Sequence, residues 1–190
     1  MPSPGSDQAA EFAAFMRDHQ DMVFSTAVRI LADEAQAEDI SQNVFLKAYE
    51  RFEELRASPT TPGWLKTVAT NMSINHLQRY RKRWSFFGER RRDDDGEEME
   101  EPPELAVPDQ LLEGVSGEQR QAHVEGALRS LPEHQRVPLV LYHFEELSYQ
   151  QIAERMQVSV SKVKTDIFRG RAALLRAFGP DSATAGLITG

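Results

Sequence analysis

Apolar residues recur along this chain in steps of three and four, the period that gathers side chains on one face of a helix. Phe12, Phe15, His19, Met22, Val23, Thr26 and Ile30 follow one side of a first predicted helix, about Gln8 to Leu31. A second, about Glu34 to Phe52, buries Ala37, Ile40, Val44, Ala48 and Phe52. Pro59, Thr60, Thr61 and Pro62 mark a loop, and Pro62 suits the first position of a third helix that reaches about Arg83. Its inner stripe is Leu65, Val68, Ala69, Met72 and His76. Further helices are expected over about Gln119 to Ser130 and from Pro132 to about Glu145, with Pro138 in the first turns, where missing amide donors cost least. The pattern as a whole predicts an all-α fold.

The most specific local pattern lies between Leu147 and Leu175. Ser148 followed by Gln151 is a capping-box start, Ile152, Ala153 and Met156 form the apolar side of a short helix, and Ser159 caps the helix after it. On that second helix Val163, Ile167, Gly170 and Leu174 share one narrow stripe, expected to face the first. This is a helix-turn-helix. The opposite side carries Ser161, Lys164, Thr165, Phe168 and Arg169, with Arg171 beyond, a polar and cationic surface with one aromatic that suits the major groove of DNA. Paired amphipathic helices also occur in many folds without DNA. A buried hairpin, however, has no use for a basic outer face.

Two other faces stand out. Asp39, Gln42, Asn43 and Leu46 project together from the far side of the second helix, either as a solvated face with one stray leucine or as a partner surface. Trp64, Asn71, Asn75, Gln78 and Lys82 run along a flank of the third. Amides read base edges, an aromatic stacks on an unpaired base and a basic helix end holds phosphates. The alternative is a polar flank with a half-buried tryptophan, and periodicity does not choose between them.

Composition sharpens this picture. The chain has 190 residues, 40% of them hydrophobic, and a formal net charge of −8, which by itself argues against nucleic acid. The charges are segregated, though: Arg79, Arg81, Lys82, Arg83 and Arg90 to Arg92 are followed at once by Asp93 to Asp95, Glu97, Glu98, Glu100 and Glu101. This acidic, proline-containing stretch buries too little apolar surface to offset its ordering entropy and is expected to be a flexible linker. The domains predicted are 1–83, linker 84–117, a second domain 118–178 and a disordered tail 179–190. With no cysteine, disulfides, thiolate nucleophiles and cysteine-ligated zinc are excluded, which fits a reducing cytoplasm. No apolar run is long enough to cross a bilayer, and the opening Met-Pro-Ser-Pro-Gly-Ser-Asp-Gln lacks the charged and apolar regions of a signal peptide, so an internal protein is expected. His19 and His76 sit among apolar neighbours as core histidines. His143 and Glu146 lack the rest of a zinc motif, and there is no glycine-rich phosphate cradle, so neither enzyme activity nor a metal or cofactor is expected.

Taken in order, these segments resemble the extracytoplasmic-function sigma factors, the minimal two-domain form of the bacterial RNA polymerase specificity subunit, over about Glu11 to Arg83 and Glu118 to Phe178. Ala37-Glu38-Asp39-Ile40-Ser41-Gln42-Asn43-Val44-Phe45-Leu46-Lys47-Ala48-Tyr49 is similar to the family's segment that contacts core polymerase. Gly63-Trp64-Leu65 through Ala69-Thr70-Asn71 is similar to its promoter-melting helix, and Leu131-Pro132-Glu133-His134-Gln135-Arg136 to the opening of its second domain. The resemblance implies roles. Glu38, Asp39, Gln42, Asn43 and Leu46 would clamp the coiled coil of the largest polymerase subunit, the flap being a further contact. The loop from about Leu55 to Thr61, with Trp64, Asn71, Asn75, Gln78 and Lys82, would trap a flipped base of the minus-ten element. Ser161, Lys164, Thr165, Phe168, Arg169 and Arg171 would read the minus-thirty-five element, the linker would thread towards the RNA exit channel, and an anti-sigma factor would restrain the whole. Glu146 and Gln157 stand where the family often has glycine, and Asp166 where it is commonly basic. The competing reading is a helix-turn-helix regulator that uses its first domain for dimerisation or a ligand; it has no need of the Asp39 face.

Overall fold

The computed structural model describes the backbone over residues 4–86 and 118–178 and side chains over 7–80 and 124–177. The chain divides into two compact units, Met1–Glu89 and Arg90–Gly190. All regular structure among the described residues is helical. The expected linker beyond residue 86 and the expected tail 179–190 lie outside the described residues.

In the first unit, α1 (Pro4–Leu31) and α2 (Glu34–Glu50) are joined by only Ala32 and Asp33, so they lie as an antiparallel pair. Ala32 takes a left-handed φ of 56° and its amide bonds the Val28 carbonyl at 2.8 Å. Asp33 caps α2, its carboxylate accepting from the Gln36 amide at 2.9 Å. The predicted second helix ends earlier than expected. It stops at Glu50, where Arg51 adopts φ −121° and ψ 22°, and Phe52 opens the short α3 (Phe52–Leu55). The turn carries Phe52 into the core all the same, edge-on to both Phe12 and Phe15. The chain then turns into α4 (Thr61–Phe86), which runs three residues into the interval expected to be linker. No glycine or proline lies between Gly63 and Gly88 to stop it. Val23, Ala27, Val44, Ala48, Leu65 and Ala69 from α1, α2 and α4 form one buried cluster.

In the second unit, α5 (Glu118–Ser130) leads to α6 (Glu133–His143), which ends two residues short of the predicted Glu145. Pro138 is the sixth residue of α6, a turn deeper than the spare-donor positions, and is buried among Val137, Leu139 and Val140. Its hydrophobic contacts offset the amide bond that proline cannot give. Arg136 is buried as well, and its guanidinium donates to the Leu131 carbonyl at 2.8 Å, locking the Leu131-Pro132 bend ahead of α6. Desolvation lowers its pKa, opposed by Glu133.

The helix-turn-helix is α7 (Tyr149–Met156) and α8 (Val160–Phe178). Both halves of the capping box form: the Gln151 amide bonds Ser148 Oγ at 3.3 Å and the Ser148 amide bonds Gln151 Oε1 at 2.9 Å. Ser159 Oγ accepts from the Lys162 amide at 3.2 Å. The stripe Val163, Ile167, Gly170 and Leu174 is buried, with a correction to its partner. Gly170 lies against α6, where an added Cβ would stand 3.3 Å from the Gln135 carbonyl and 3.5 Å from Leu139 Cδ2. The stripe therefore packs on α6 as well as on α7.

Glu146 and Gln157 take φ values of 53° and 58°, the left-handed geometry that glycine adopts without strain. At Gln157 the turn is complete, with its amide 3.3 Å from the Glu154 carbonyl and the Val158 amide 3.1 Å from that of Ala153. A side chain in this conformation costs about 1 kcal/mol. Gln157→Gly is therefore expected to stabilise the second unit by about 0.5 to 1 kcal/mol, read as a raised midpoint in chemical unfolding; a lowered midpoint refutes the strain.

Candidate nucleic-acid interface

Three surfaces carry the residues singled out by sequence. On α2, Ala37, Ile40, Val44 and Ala48 are buried, which turns Glu38, Asp39, Gln42, Asn43 and Leu46 outward, all exposed. Asn43 Nδ2 donates to the Asp39 carbonyl at 2.7 Å. Leu46 is 65% exposed, and Tyr49, one turn on, is 52% exposed. Tyr49 closes the segment that resembles the family's polymerase contact, though it is not among the residues expected to make that contact. Its spacing from Leu46 was the available signal, and its ring stands edge-on to Phe12 at 4.9 Å. Two large side chains thus project beside a carboxylate and two amides, the mixture that a partner covers.

The second surface is the flank of α4 with the loop before it. Trp64 is half-buried beneath the Arg51 guanidinium, 5.7 Å from the ring centroid, a cation over an aromatic face. Asn71 and Asn75 are exposed and Gln78 half-buried; the Lys82 side chain lies outside the described residues. Leu55 is corrected: it is 6% exposed and belongs to the core, because α3 turns it inward. The loop is tied down from several sides. Thr61 Oγ1 donates to the Leu55 carbonyl at 2.5 Å, Ser58 Oγ and Thr60 Oγ1 share a 2.8 Å hydrogen bond, and Arg56 pairs with Glu11 at 2.7 Å and Glu53 at 3.0 Å. A cavity of about 570 Å³ opens between loop and α1, walled by Phe15, Asp18, His19, Phe52, Ser58 and Pro59 among others. Asn71 and Asn75 are not among the residues that line it.

The third surface is the outer side of α8. Ser161 and Lys164 are exposed, while Thr165, Phe168 and Arg169 are half-buried. Phe168 is thus less open than its pattern suggests. Arg171 turns away from this group. It donates to His143 Nε2 from Nε at 3.2 Å and Nη2 at 3.1 Å, and its guanidinium lies 5.3 Å from the Tyr142 ring centroid. Tyr142 in turn stacks on Tyr149 at 5.0 Å. These contacts join the end of α6 to α7 and α8. Asp166 is 3% exposed, and its carboxylate lies 3.5 Å from Lys162 Nζ. Burial raises its pKa, opposed by the charges of Lys162, His134 and Arg169.

Among the described residues no cluster of histidines and carboxylates is grouped to hold a metal, and no helix is long and apolar enough to cross a membrane.

Comparison with known proteins matches the Sigma-70 region 2 family over residues 15–83 and the Sigma-70, region 4 family over residues 123–174. The chain is 31% identical over 176 residues to the RNA polymerase sigma-H factor of Pseudomonas aeruginosa, covering 89% of this chain and 86% of that protein. It is 32% identical over 142 residues to the ECF RNA polymerase sigma-E factor of Escherichia coli, covering 72% and 70%. A solved structure of the sigma factor RpoE in complex with the anti-sigma factor NepR from Bartonella quintana matches with a TM-score of 0.48 and 19% identity, over 90% of this chain and 98% of that one.

Proposed function

Because this chain belongs to the sigma-70 family, in its extracytoplasmic-function branch, we propose a residue-level division of labour for the activity it shares with that family. It binds core RNA polymerase and directs it to promoters; the polymerase supplies the chemistry. In our reading the first unit grips the enzyme and opens the minus-ten element, and the second docks on minus-thirty-five duplex. Glu38, Asp39, Gln42, Asn43 and Leu46, extended by Tyr49, form the polymerase contact. The observation that carries this assignment is the pair of exposed apolar side chains, Leu46 and Tyr49, on a helix whose opposite face is fully packed.

Strand opening is a transfer of binding energy. Extruding a base costs a few kcal/mol, and aromatic stacking returns about 1 to 3 kcal/mol per base. Trp64 offers an aromatic face, Asn71, Asn75 and Gln78 offer amides to base edges, and Lys82 extends the basic end of α4. The Arg56 to Pro62 loop borders this flank, and Leu55 supports that loop from within the core; the cavity between the loop and α1 is lined by none of Trp64, Asn71, Asn75 and Gln78 and is not assigned to the base they would hold. On α8, Ser161, Lys164, Thr165, Phe168 and Arg169 read the duplex, with Arg171 holding the helix in place through His143 and Tyr142. We place the protein in the cytoplasm with its polymerase and assign its restraint to an anti-sigma factor, as the family's habit suggests.

Arg169→Ala tests the duplex face. The variant is expected to weaken promoter occupancy by about 1 to 3 kcal/mol if Arg169 reads a base, measured by footprinting the holoenzyme on a promoter mapped from transcripts that the chain initiates. Unchanged occupancy removes Arg169 from the site.

A further inference from the structure

Lys162 and Asp166 are oddly arranged for a pair whose purpose is to stabilise a helix. Lys162 lies in the first turn of α8, where the helix dipole disfavours a cation. A basic residue four positions before an acidic one is also the weaker order for a helical ion pair. Asp166 sits where α8 passes close to α6, one turn before Gly170, and is almost wholly buried. On its own helix the carboxylate faces Lys162 and Arg169, and from α6 it faces His134. Its Oδ2 lies 3.5 Å from Lys162 Nζ, yet the Lys162 side chain stays 35% exposed. A buried acid thus holds a cation whose side chain is still partly exposed, on the edge of the face assigned to DNA.

We propose that Asp166 is a positioning residue of the duplex-reading face, holding the Lys162 ammonium over the first turn of α8 so that it meets a DNA phosphate. This rests on the assignment of α8 to duplex DNA. A phosphate answers both oddities. It neutralises the cation at the positive end of the helix, and the buried carboxylate limits the conformations that a free lysine must lose on binding. The cost falls on the fold. Since burial raises the Asp166 pKa, its contribution to stability is greatest below the unfolded carboxylate range and declines as pH rises through the folded value. At neutral pH Asp166→Asn removes that loss, so the variant should melt no lower than the wild type.

The test uses holoenzyme assembled from the full chain and bacterial core polymerase, with the mapped promoter fragment, and follows closed-complex affinity against salt concentration. Asp166→Asn is expected to bind about three- to tenfold more weakly at low salt, with a log–log salt slope shallower by about 0.9, the signature of one lost phosphate contact. Lys162→Met should show the same loss, and the double variant should be no weaker than Lys162→Met alone. Lys162 is on the surface, so this variant reports on the contact even if Asp166→Asn folds poorly. Affinity equal to or tighter than wild type in Asp166→Asn, as relief of simple charge repulsion gives, overturns the proposal; so do losses that add. If Lys164→Ala and Arg169→Ala weaken binding while Asp166→Asn does not, only this proposal fails. If none of them does, the duplex assignment fails and takes the proposal with it.

Discussion

Leu46→Asp is expected to lower affinity for core RNA polymerase by about 2 to 4 kcal/mol, the loss typical of a central interface residue, while the far-ultraviolet spectrum and melting temperature hold. Leu46 is 65% exposed, so the fold spends no packing on it, whereas Ile40, Val44 and Ala48 fill the inner side of the same helix. In a complex the aspartate would have to be buried among apolar contacts without a partner, on the same face as the carboxylate of Asp39 two turns away. Desolvation and like charge act in the same direction. Fluorescence titration of labelled chain with core polymerase reads the effect. Wild-type affinity in Leu46→Asp would take the polymerase contact off this face.

Gly170→Val should destabilise the second unit markedly. The first added carbon stands 3.3 Å from the Gln135 carbonyl and 3.5 Å from Leu139 Cδ2, both on α6, and valine adds two further methyls to that already tight approach. Backbone oxygen cannot move aside as a long side chain can. The helices must separate, opening the packing around Leu139, Ile167 and Leu174, all nearly inaccessible. Overpacking of this kind costs about 1 to 3 kcal/mol, which lowers the midpoint of a domain this small by about 4 to 8 °C per kcal/mol. Calorimetry of the full chain measures it. An unchanged profile would mean that α6 and α8 do not approach at Gly170 in solution.

Local sequence carried the caps and the stripes. Ser148, Gln151 and Ser159 signal helix starts through bonds spanning three residues, and the outward face of α2 follows from its buried face by geometry alone. Features decided at long range stayed hidden. Arg171 reads as one more cation on α8, and only the fold brings it to His143, 28 positions away. Leu55 reads as a loop residue because α3 is a single turn with no stop signal between it and α2; its burial depends on α1 and α4 packing over it. Asp166 reads as a departure from a basic pattern until its neighbour Lys162 and the α6 crossing are seen together. Glu146 and Gln157 mark their turns by the absence of the glycine common in the family, which leaves the turn geometry open; in the fold both take the left-handed conformation and accept its strain.

The account stands most directly on transcription from a linear template by core polymerase stripped of its own specificity subunit and supplied with this chain. The predicted result is a transcript with a single discrete start, lost with Leu46→Asp and reduced with Arg169→Ala. Initiation no different from that of core polymerase alone, or a discrete start that survives Leu46→Asp undiminished, would contradict it.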